Sequence, residues 1–194
     1  MKVLIACEYS ATVREAFNAR GHVAWSCDLE PSEVPGNHFQ DDVRTVLKLT
    51  KGWDLMIAHP PCTYLSYAGA AFWNDQGRKE KRDEALAFFK ELYNAPINKV
   101  CIENPHGYPR VAFRQPDQEI HPYYFGDFQM KRTLLWLRGL PKLKHPDPKT
   151  LEKPKPQFVR KDGNKQYFCS TTRKGKERAR FWPSIAKAMA EQWG

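Results

Sequence analysis

The chain has 194 residues, enough for a substantial hydrophobic core, and 41% of them are hydrophobic while 27% are charged. This composition excludes a disordered or fibrous chain, and no apolar run approaches the roughly 20 residues that cross a bilayer. The net charge of +9 favours a polyanionic partner. Because the first apolar run, in MKVLIACEYS, is short and strand-like, we expect a cytoplasmic protein without a membrane partner.

Strand-like and helix-like segments alternate through the first hundred residues. The predicted strands are 3–6, 23–27, 53–58 and 99–102, and the predicted helices are 12–20, 42–49 and 78–93. The last helix is the clearest, since its apolar residues fall on one face and its charges on the other. The alternation predicts right-handed crossovers and an α/β fold: a mostly parallel sheet with helices on both faces.

The second half of the chain has a different texture. A polar, proline-rich and aromatic-rich passage precedes a predicted strand at 133–138, and a hairpin is expected around Asp162 and Gly163. Between Lys142 and Arg180 there are thirteen Lys or Arg residues against four Asp or Glu. We therefore expect one domain over 1–194, with a basic loop-rich insertion at about 142–180 and a C-terminal helix at about 183–193 that begins at Pro183.

The five cysteines are an odd number and form no CxxC pair. We therefore expect reduced thiols, with neither a disulfide framework nor a metal site. Cys7, Cys27 and Cys101 lie in or beside strand-like runs and are expected to pack as small apolar residues. Cys62 differs, because it follows His59-Pro60-Pro61 at the end of a predicted strand, where two prolines stiffen the chain that presents the thiol.

Polar side chains follow every predicted strand of the first half. They are Glu8-Tyr9-Ser10, Asp28-Leu29, Asp41-Asp42, His59 with Cys62, and Glu103-Asn104. Ligands of open α/β sheets bind outside the carboxyl ends of the strands, and an acid after the second strand suits a ribose diol. The pattern is typical of a nucleoside-containing cofactor, although strand-end acids also serve as plain helix caps.

The motif PPC, followed one strand later by IENP, resembles the two central catalytic motifs of the DNA cytosine-5 methyltransferases, in particular their small phage-type members. Further similar segments are IACEYSATVREAF, CDLEP, DDV, MKRTLLWLRGLP and RFWPSIAKAMAEQW, so that the likeness covers most of 1–140 and the C-terminal helix. It implies a Rossmann-like fold, S-adenosyl-L-methionine as cofactor, and DNA as the partner, for which the basic segment 142–180 offers phosphate contacts.

The resemblance also implies roles for individual residues. Cys62 would be the nucleophile that attacks carbon 6 of cytosine, Glu103 the acid that holds ring nitrogen 3, and Arg132 a contact to the substrate. To donate to ring nitrogen 3, Glu103 would have to be protonated or share the proton, and burial is expected to favour this. The implied cofactor contacts are Glu8, Tyr9, Ser10, Asp28, Leu29, Asp42, Val43 and Pro60. The implied substrate contacts are Ser66, Asn104 and Lys131.

Two departures leave alternatives open. Ser10-Ala11 stands where the family has a glycine-containing pair, and only 38 residues separate Arg138 from Glu177, where sequence-specific members carry a recognition domain. Single-stranded nucleic acid or a free nucleotide therefore remains an alternative substrate. An exocyclic-amine methyltransferase acting on adenine N6 or cytosine N4, and a catalytically silent nucleic-acid-binding protein of the same fold, are the other interpretations. His59 is expected to be a hydrogen-bonded structural histidine.

Overall fold

A seven-stranded sheet organises the chain, whose computed structural model describes residues 1–156, 158–163, 165–167 and 180–194. The strands are β1 (Lys2–Ala6), β2 (Val23–Asp28), β3 (His38–Gln40), β4 (Leu55–Ala58), β5 (Lys99–Pro105), β6 (Gln118–Ile120), β7 (Thr133–Arg138), β8 (Phe158–Val159) and β9 (Lys165–Gln166). The helices are α1 (Thr12–Asn18), α2 (Val43–Leu49), α3 (Arg78–Tyr93), α4 (Pro109–Ala112) and α5 (Pro183–Trp193), with 3₁₀ helices at Tyr67–Phe72 and Pro122–Phe125.

The strand order in the sheet is β3-β2-β1-β4-β5-β7-β6. Strands β1 to β5 run parallel, whereas β7 is antiparallel to both of its neighbours. The predicted α/β Rossmann-like fold with a mostly parallel sheet is confirmed. Because the order reverses between β1 and β4, the crevice at their carboxyl ends is where a sheet of this kind accommodates a ligand.

Each face of the sheet carries its own hydrophobic core. On one face, α1 and α5 pack together over β1 and β4, with Phe17, Ile185 and Met189 fully buried. On the other face, α2 and α3 cover the sheet through residues such as Val46 and Phe89. Strand β4 is buried along its whole length, as expected of a central strand covered on both sides.

Two strands extend further than the sequence predicts, and both extensions reach the candidate site. Strand β2 continues to Asp28, and β5 continues to Pro105 because the antiparallel ladder with β7 pairs Glu103 with Leu135 and Asn104 with Leu134. The side chains of Asp28, Glu103 and Asn104 are therefore held by strand backbone rather than by a loop.

Several short elements were not predicted, since three or four residues carry too little periodicity to show in a sequence. They are β3, β6 and α4. Arg14 was also unremarkable in the sequence, yet it is fully buried and donates to the carbonyls of Val34, Pro35 and Asn37, which fixes the loop that leads into β3.

The paired strands β8 and β9 enclose Asp162 and Gly163, where a hairpin was expected. Residues 157, 164 and 168–179 of the basic segment lie outside the described residues. The arrangement as one domain with an insertion stays a prediction. Among the residues described, none of the helices combines the length and apolar character that crossing a bilayer requires.

Candidate active site

The carboxyl ends of four neighbouring strands meet at one edge of the sheet. The register pairs Ala6 of β1 with Cys27 of β2 on one side and with Ala58 of β4 on the other, and pairs Ala58 with Ile102 of β5. The polar residues that follow these positions therefore lie side by side. This is the edge at which the sequence predicts both a cofactor and a catalytic pair.

A cavity of about 240 Å³ opens beside the ends of β1 and β2. Its lining includes four of the residues predicted to contact a cofactor, namely Asp28, Leu29, Asp42 and Val43. Leu29 is 73% exposed. Phe88 of α3 also lines the cavity and was not predicted, so the cavity combines carboxylates with apolar surface.

The acids of this cavity are held by short local hydrogen bonds. Asp28 accepts a hydrogen bond from the Glu30 amide at 3.0 Å, and Asp42 caps α2 by accepting from the Arg44 amide at 2.8 Å. These acids also affect the neighbouring thiol. Burial, followed by the charges of Asp28, Asp41 and Asp42, raises the pKa of Cys27 to about 12. The cavity wall is thus acidic, and Cys27 lines it as an unreactive thiol.

Three residues of the loop after β1 that are predicted to contact the cofactor, Glu8, Tyr9 and Ser10, lie outside the lining of this cavity. Glu8 is 3% exposed and accepts hydrogen bonds from the amides of Val13 and Arg14, at 2.7 and 3.2 Å, which places it at the start of α1. Tyr9 and Ser10 are half-buried outside the cavity lining, which on this side is formed by Cys7.

Ala11 has φ 62° and ψ 9°, the left-handed conformation, and is fully buried. A glycine would adopt this conformation without cost, whereas a residue with a Cβ atom pays on the order of 1 kcal/mol. Ala11 therefore keeps the left-handed conformation that suits a glycine, although it carries a Cβ atom, and the surrounding structure accommodates the cost.

The proline-stiffened loop places Cys62 half-buried at the site. The His59 amide donates to the Ala6 carbonyl, which continues the pairing of β4 with β1 beyond the strand. Pro60 is buried, and its carbonyl accepts a hydrogen bond from the side chain of Asn104 at 2.8 Å. Asn104 is 1% exposed, and its hydrogen bond fastens this loop to β5. Pro61, rather than the predicted Pro60, lines the cavity.

Glu103 is paired with His59, which the sequence predicts to be a hydrogen-bonded structural histidine. His59 Nδ1 lies 3.2 Å from Glu103 Oε2, and both side chains are 11% exposed. Burial alone would raise the pKa of Glu103, but the hydrogen bond to His59, the nearby Lys131 and the charge of His59 together hold this pKa below its usual value. The lowered pKa disfavours a protonated Glu103, whereas a proton shared with its partner stays a prediction.

The remaining predicted substrate residues lie in loops beside this pair. Lys131 is close enough to Glu103 to lower its pKa, and Arg132 forms an ion pair with Glu119 at 2.7 Å. Ser66 accepts a hydrogen bond from the Ala68 amide and so begins the 3₁₀ helix Tyr67–Phe72. Its own position is fixed by an isolated bridge to Gly107.

A basic and aromatic cluster at the loop after β5 was not predicted. The Tyr67 and His106 rings lie 4.9 Å apart, and Arg110 Nη1 lies 2.9 Å from His106 Nε2. Burial, Arg132 and Arg110 lower the pKa of His106. These cations share one neighbourhood with the loop that carries Cys62, because the Tyr67 amide donates to the His106 carbonyl. The sequence signal for the cluster was the polar, aromatic-rich character of 106–128.

The basic segment contributes exposed charge where it is described. Nine of its thirteen cations lie in the described residues, and all nine are exposed. One of them, Arg180, forms an ion pair with Glu33 at 2.8 Å and so connects the end of the segment to the loop after β2. The described residues contain no group of three or more His, Cys, Asp or Glu side chains arranged to hold a metal ion.

Comparison with known proteins gives the fold and no family. No protein-family description matches the chain, and no curated protein is similar to it in sequence. Among solved structures, it is similar to a candidate DNA modification methyltransferase encoded within a prophage of Escherichia coli, with a TM-score of 0.52 and 11% identity. The match covers 82% of this chain but only 56% of that one. At this identity the likeness shows a shared fold alone.

Proposed function

We propose that the chain is an S-adenosyl-L-methionine-dependent methyltransferase that acts on nucleic acid, and that it transfers a methyl group to carbon 5 of cytosine. The observation that carries this proposal is that the loop with half-buried Cys62 follows β4 and is tied, through the hydrogen bond from Asn104 to Pro60, to the end of the neighbouring strand β5, which carries buried Glu103. The fold shared with a candidate DNA modification methyltransferase supports the broader part of the proposal.

The cavity beside β1 and β2 suits the proposed cofactor. Asp28 at the end of β2 is the acid expected to bind a ribose diol, and Leu29 and Phe88 offer apolar surface for a purine. The acidic wall favours a ligand that carries positive charge. When bound, the cofactor would supply an electrophilic methyl group on a sulfonium centre.

The residues of this chain then have separate tasks in the proposed reaction. Cys62, as thiolate, adds to carbon 6 of the ring and removes its aromaticity, which makes carbon 5 nucleophilic. Glu103 stabilises the charge that arrives at ring nitrogen 3. Asn104 keeps the cysteine loop in place through the Pro60 carbonyl. Once carbon 5 has taken the methyl group, loss of its proton and expulsion of the thiolate restore the aromatic ring and Cys62.

DNA is the proposed substrate class, with phosphate contacts from the exposed cations of segment 142–180 and from the cluster around His106. Because such contacts do not read base identity, we expect weak sequence preference and a strong salt dependence. A single-stranded region would spare the cost of flipping the base out of a duplex.

The test is incubation of the protein with methyl-labelled cofactor and, separately, duplex DNA, single-stranded DNA, RNA and dCTP, followed by mass spectrometry of the bases. Labelled 5-methylcytosine in DNA supports the proposal, and DNA that contains 5-fluorocytosine should form a covalent complex through Cys62. Labelled N4-methylcytosine or N6-methyladenine without trapping would show an exocyclic-amine methyltransferase. Cofactor binding without any methylated base would show the catalytically silent alternative.

A further inference from the structure

The pairing of His59 with Glu103 follows directly from the sheet. Ala58 is in register with Ile102, so the next residues along the two parallel strands, His59 and Glu103, are neighbours. Their side chains meet at 3.2 Å, and each is 11% exposed. Because two central strands fix this contact and shield it from water, it differs from a surface ion pair, whose charges are screened by solvent.

The histidine ring is held so that it presents one nitrogen to the carboxyl group. The His59 ring packs against the Phe181 ring, with centroids 4.6 Å apart. The backbone of His59 is also held, because its amide donates a hydrogen bond to the Ala6 carbonyl. Among the described residues, His59 Nε2 is buried and has no hydrogen-bond partner. The only hydrogen bond described for the ring is therefore the one to Glu103, and this bond fixes how the two side chains are oriented to each other.

The groups that face the pair come from every neighbouring strand end. Glu8, after β1, is influenced by the charge of His59, and Lys131, before β7, acts on Glu103. Cys101 lies on β5 itself and is fully buried.

A carboxylate in such a pair has no proton of its own to give. The proposed reaction, however, places electron density on ring nitrogen 3 when the Cys62 thiolate adds to carbon 6, and a proton delivered there stabilises the adduct. The proton must therefore come from the pair as a unit, whose two groups can exchange it across their 3.2 Å hydrogen bond.

Resting on the function proposed above, we propose that His59 is a positioning residue that orients Glu103 and supplies the proton which Glu103 passes to ring nitrogen 3. The sulfur–carbon 6 bond forms, the displaced electron pair reaches nitrogen 3, and nitrogen 3 takes a proton from Glu103 as Glu103 takes one from His59 Nδ1. His59 is left neutral. Carbon 5 then takes the methyl group, so that the sulfonium sulfur would become a neutral thioether. When the proton on carbon 5 is lost to solvent and the thiolate leaves, the nitrogen 3 proton returns to Glu103 and His59.

Two substitutions separate orientation from proton supply. His59→Asn keeps an N–H group on the side chain but has no titratable proton, whereas His59→Leu removes both. We expect His59→Asn to lower kcat about 10²-fold, the lower end of what a general acid contributes, with unchanged cofactor affinity. We also expect the high-pH limb of its kcat profile to move to lower pH, because Glu103 must then be protonated directly. His59→Leu should lose more.

The control is His22→Asn, which changes a half-buried histidine that precedes β2 at the opposite end of the sheet and should leave kcat and the pH profile unchanged. A carbon-13 NMR titration of Glu103, in the wild-type chain and in His59→Asn, gives a readout besides activity, and we expect a higher Glu103 pKa in the variant.

The outcomes distinguish this inference from the proposed function. If the wild-type chain forms 5-methylcytosine but His59→Asn keeps its kcat and pH profile, the inference is overturned while the proposed function stands. If the wild-type chain neither methylates nor traps cytosine, the function and the proton-supply role both fail. An unchanged Glu103 titration in the variant would also overturn the inference.

Discussion

The two sides of the candidate site carry opposite charge. The cavity beside β1 and β2 is lined by Asp28, Asp41 and Asp42 against a single cation, Arg44. The side formed by the ends of β4 and β5 instead brings Lys131 towards Glu103, and gathers Arg110 and Arg132 around His106, whose pKa is lowered by burial and by these two cations.

This difference matches two ligands of opposite charge. An acidic wall favours a sulfonium-bearing cofactor and repels phosphates, whereas a basic rim attracts a polyanionic substrate and disfavours a cation. The chain therefore separates its proposed cofactor from its proposed substrate by electrostatics as well as by shape. Changes on the basic side should affect chemistry, and changes on the acidic side should affect cofactor binding.

The largest expected effect is the loss of the nucleophile. Cys62→Ser should lower methyl transfer by roughly 10³-fold or more, because a serine hydroxyl ionises far less readily than a thiol, while cofactor affinity stays unchanged. The measurement is incorporation of labelled methyl groups alongside calorimetric cofactor titration. The matched control is Thr63→Ala, an exposed neighbour on the same loop that should keep its activity. Activity in Cys62→Ser equal to that of the wild type would remove the nucleophile assignment.

Glu103→Gln is expected to come next. The amide cannot pass a proton to ring nitrogen 3, so turnover should fall by about 10²–10⁴-fold, the usual contribution of general acid–base catalysis. Cofactor affinity should change little, because Glu103 lies on the basic side of the site. Steady-state kinetics with saturating cofactor provide the measurement. A variant that loses cofactor affinity but keeps its turnover would contradict the division into two sides.

Asp28→Asn should show the reverse pattern. Loss of a charged hydrogen bond costs about 1.5–3 kcal/mol, which corresponds to roughly a tenfold to hundredfold weaker cofactor affinity. Turnover at saturating cofactor should stay near the wild-type value. The asparagine Oδ1 can still accept from the Glu30 amide, so the fold is retained.

The control for Asp28→Asn is Glu191→Gln, which removes a carboxylate on α5 that pairs with Arg20 at 3.5 Å on the surface. This variant should bind the cofactor normally in the same calorimetric titration. Equal affinities of Asp28→Asn and the wild type would remove Asp28 from the proposed cofactor site.

Much of the acidic side could be predicted from the sequence, because consecutive residues build it. The alternating strands and helices predicted the sheet. The rule that ligands bind at strand ends indicated Asp28 and Leu29, the family resemblance implied Asp42 and Val43, and all four line the cavity. Local signals sufficed there, since Asp42 is both a cap of α2 and a cavity residue. Glu8 lies outside the cavity lining, and its role as a cofactor contact stays a prediction, because a buried carboxylate that accepts from the first amides of α1 looks the same in the sequence.

The basic side depends on contacts between distant segments, which periodicity does not reveal. His59 meets Glu103 across 44 positions of sequence, and the loop after β5 meets the cysteine loop at Gly107. A Cβ atom at Gly107 would lie 2.1 Å from the Leu65 carbonyl oxygen, so only glycine permits this approach. Neither the His59 pair nor the cluster around His106 could be recognised before the strand register was known.

The smallest expected effect compares two buried carboxyl groups through stability. Glu8 has its pKa raised by burial, although the charge of His59 and two amides oppose this, whereas Glu103 has its pKa lowered despite burial. The stabilisation from Glu103 is present above the unfolded-state pKa of about 4.3 and is lost as the pH falls through its folded-state pKa. The stabilisation from Glu8 is present below about 4.3 and is lost as the pH rises through its folded-state pKa.

Urea unfolding of the wild type, Glu8→Gln and Glu103→Gln across acidic and neutral pH measures this difference. The free energy of unfolding that Glu103→Gln loses should grow as the pH rises through the acidic range, and the amount that Glu8→Gln loses should shrink. Parallel pH dependences in the two variants would mean that the two buried carboxyl groups share one electrostatic environment, and that His59 and Lys131 do not distinguish Glu103 from Glu8.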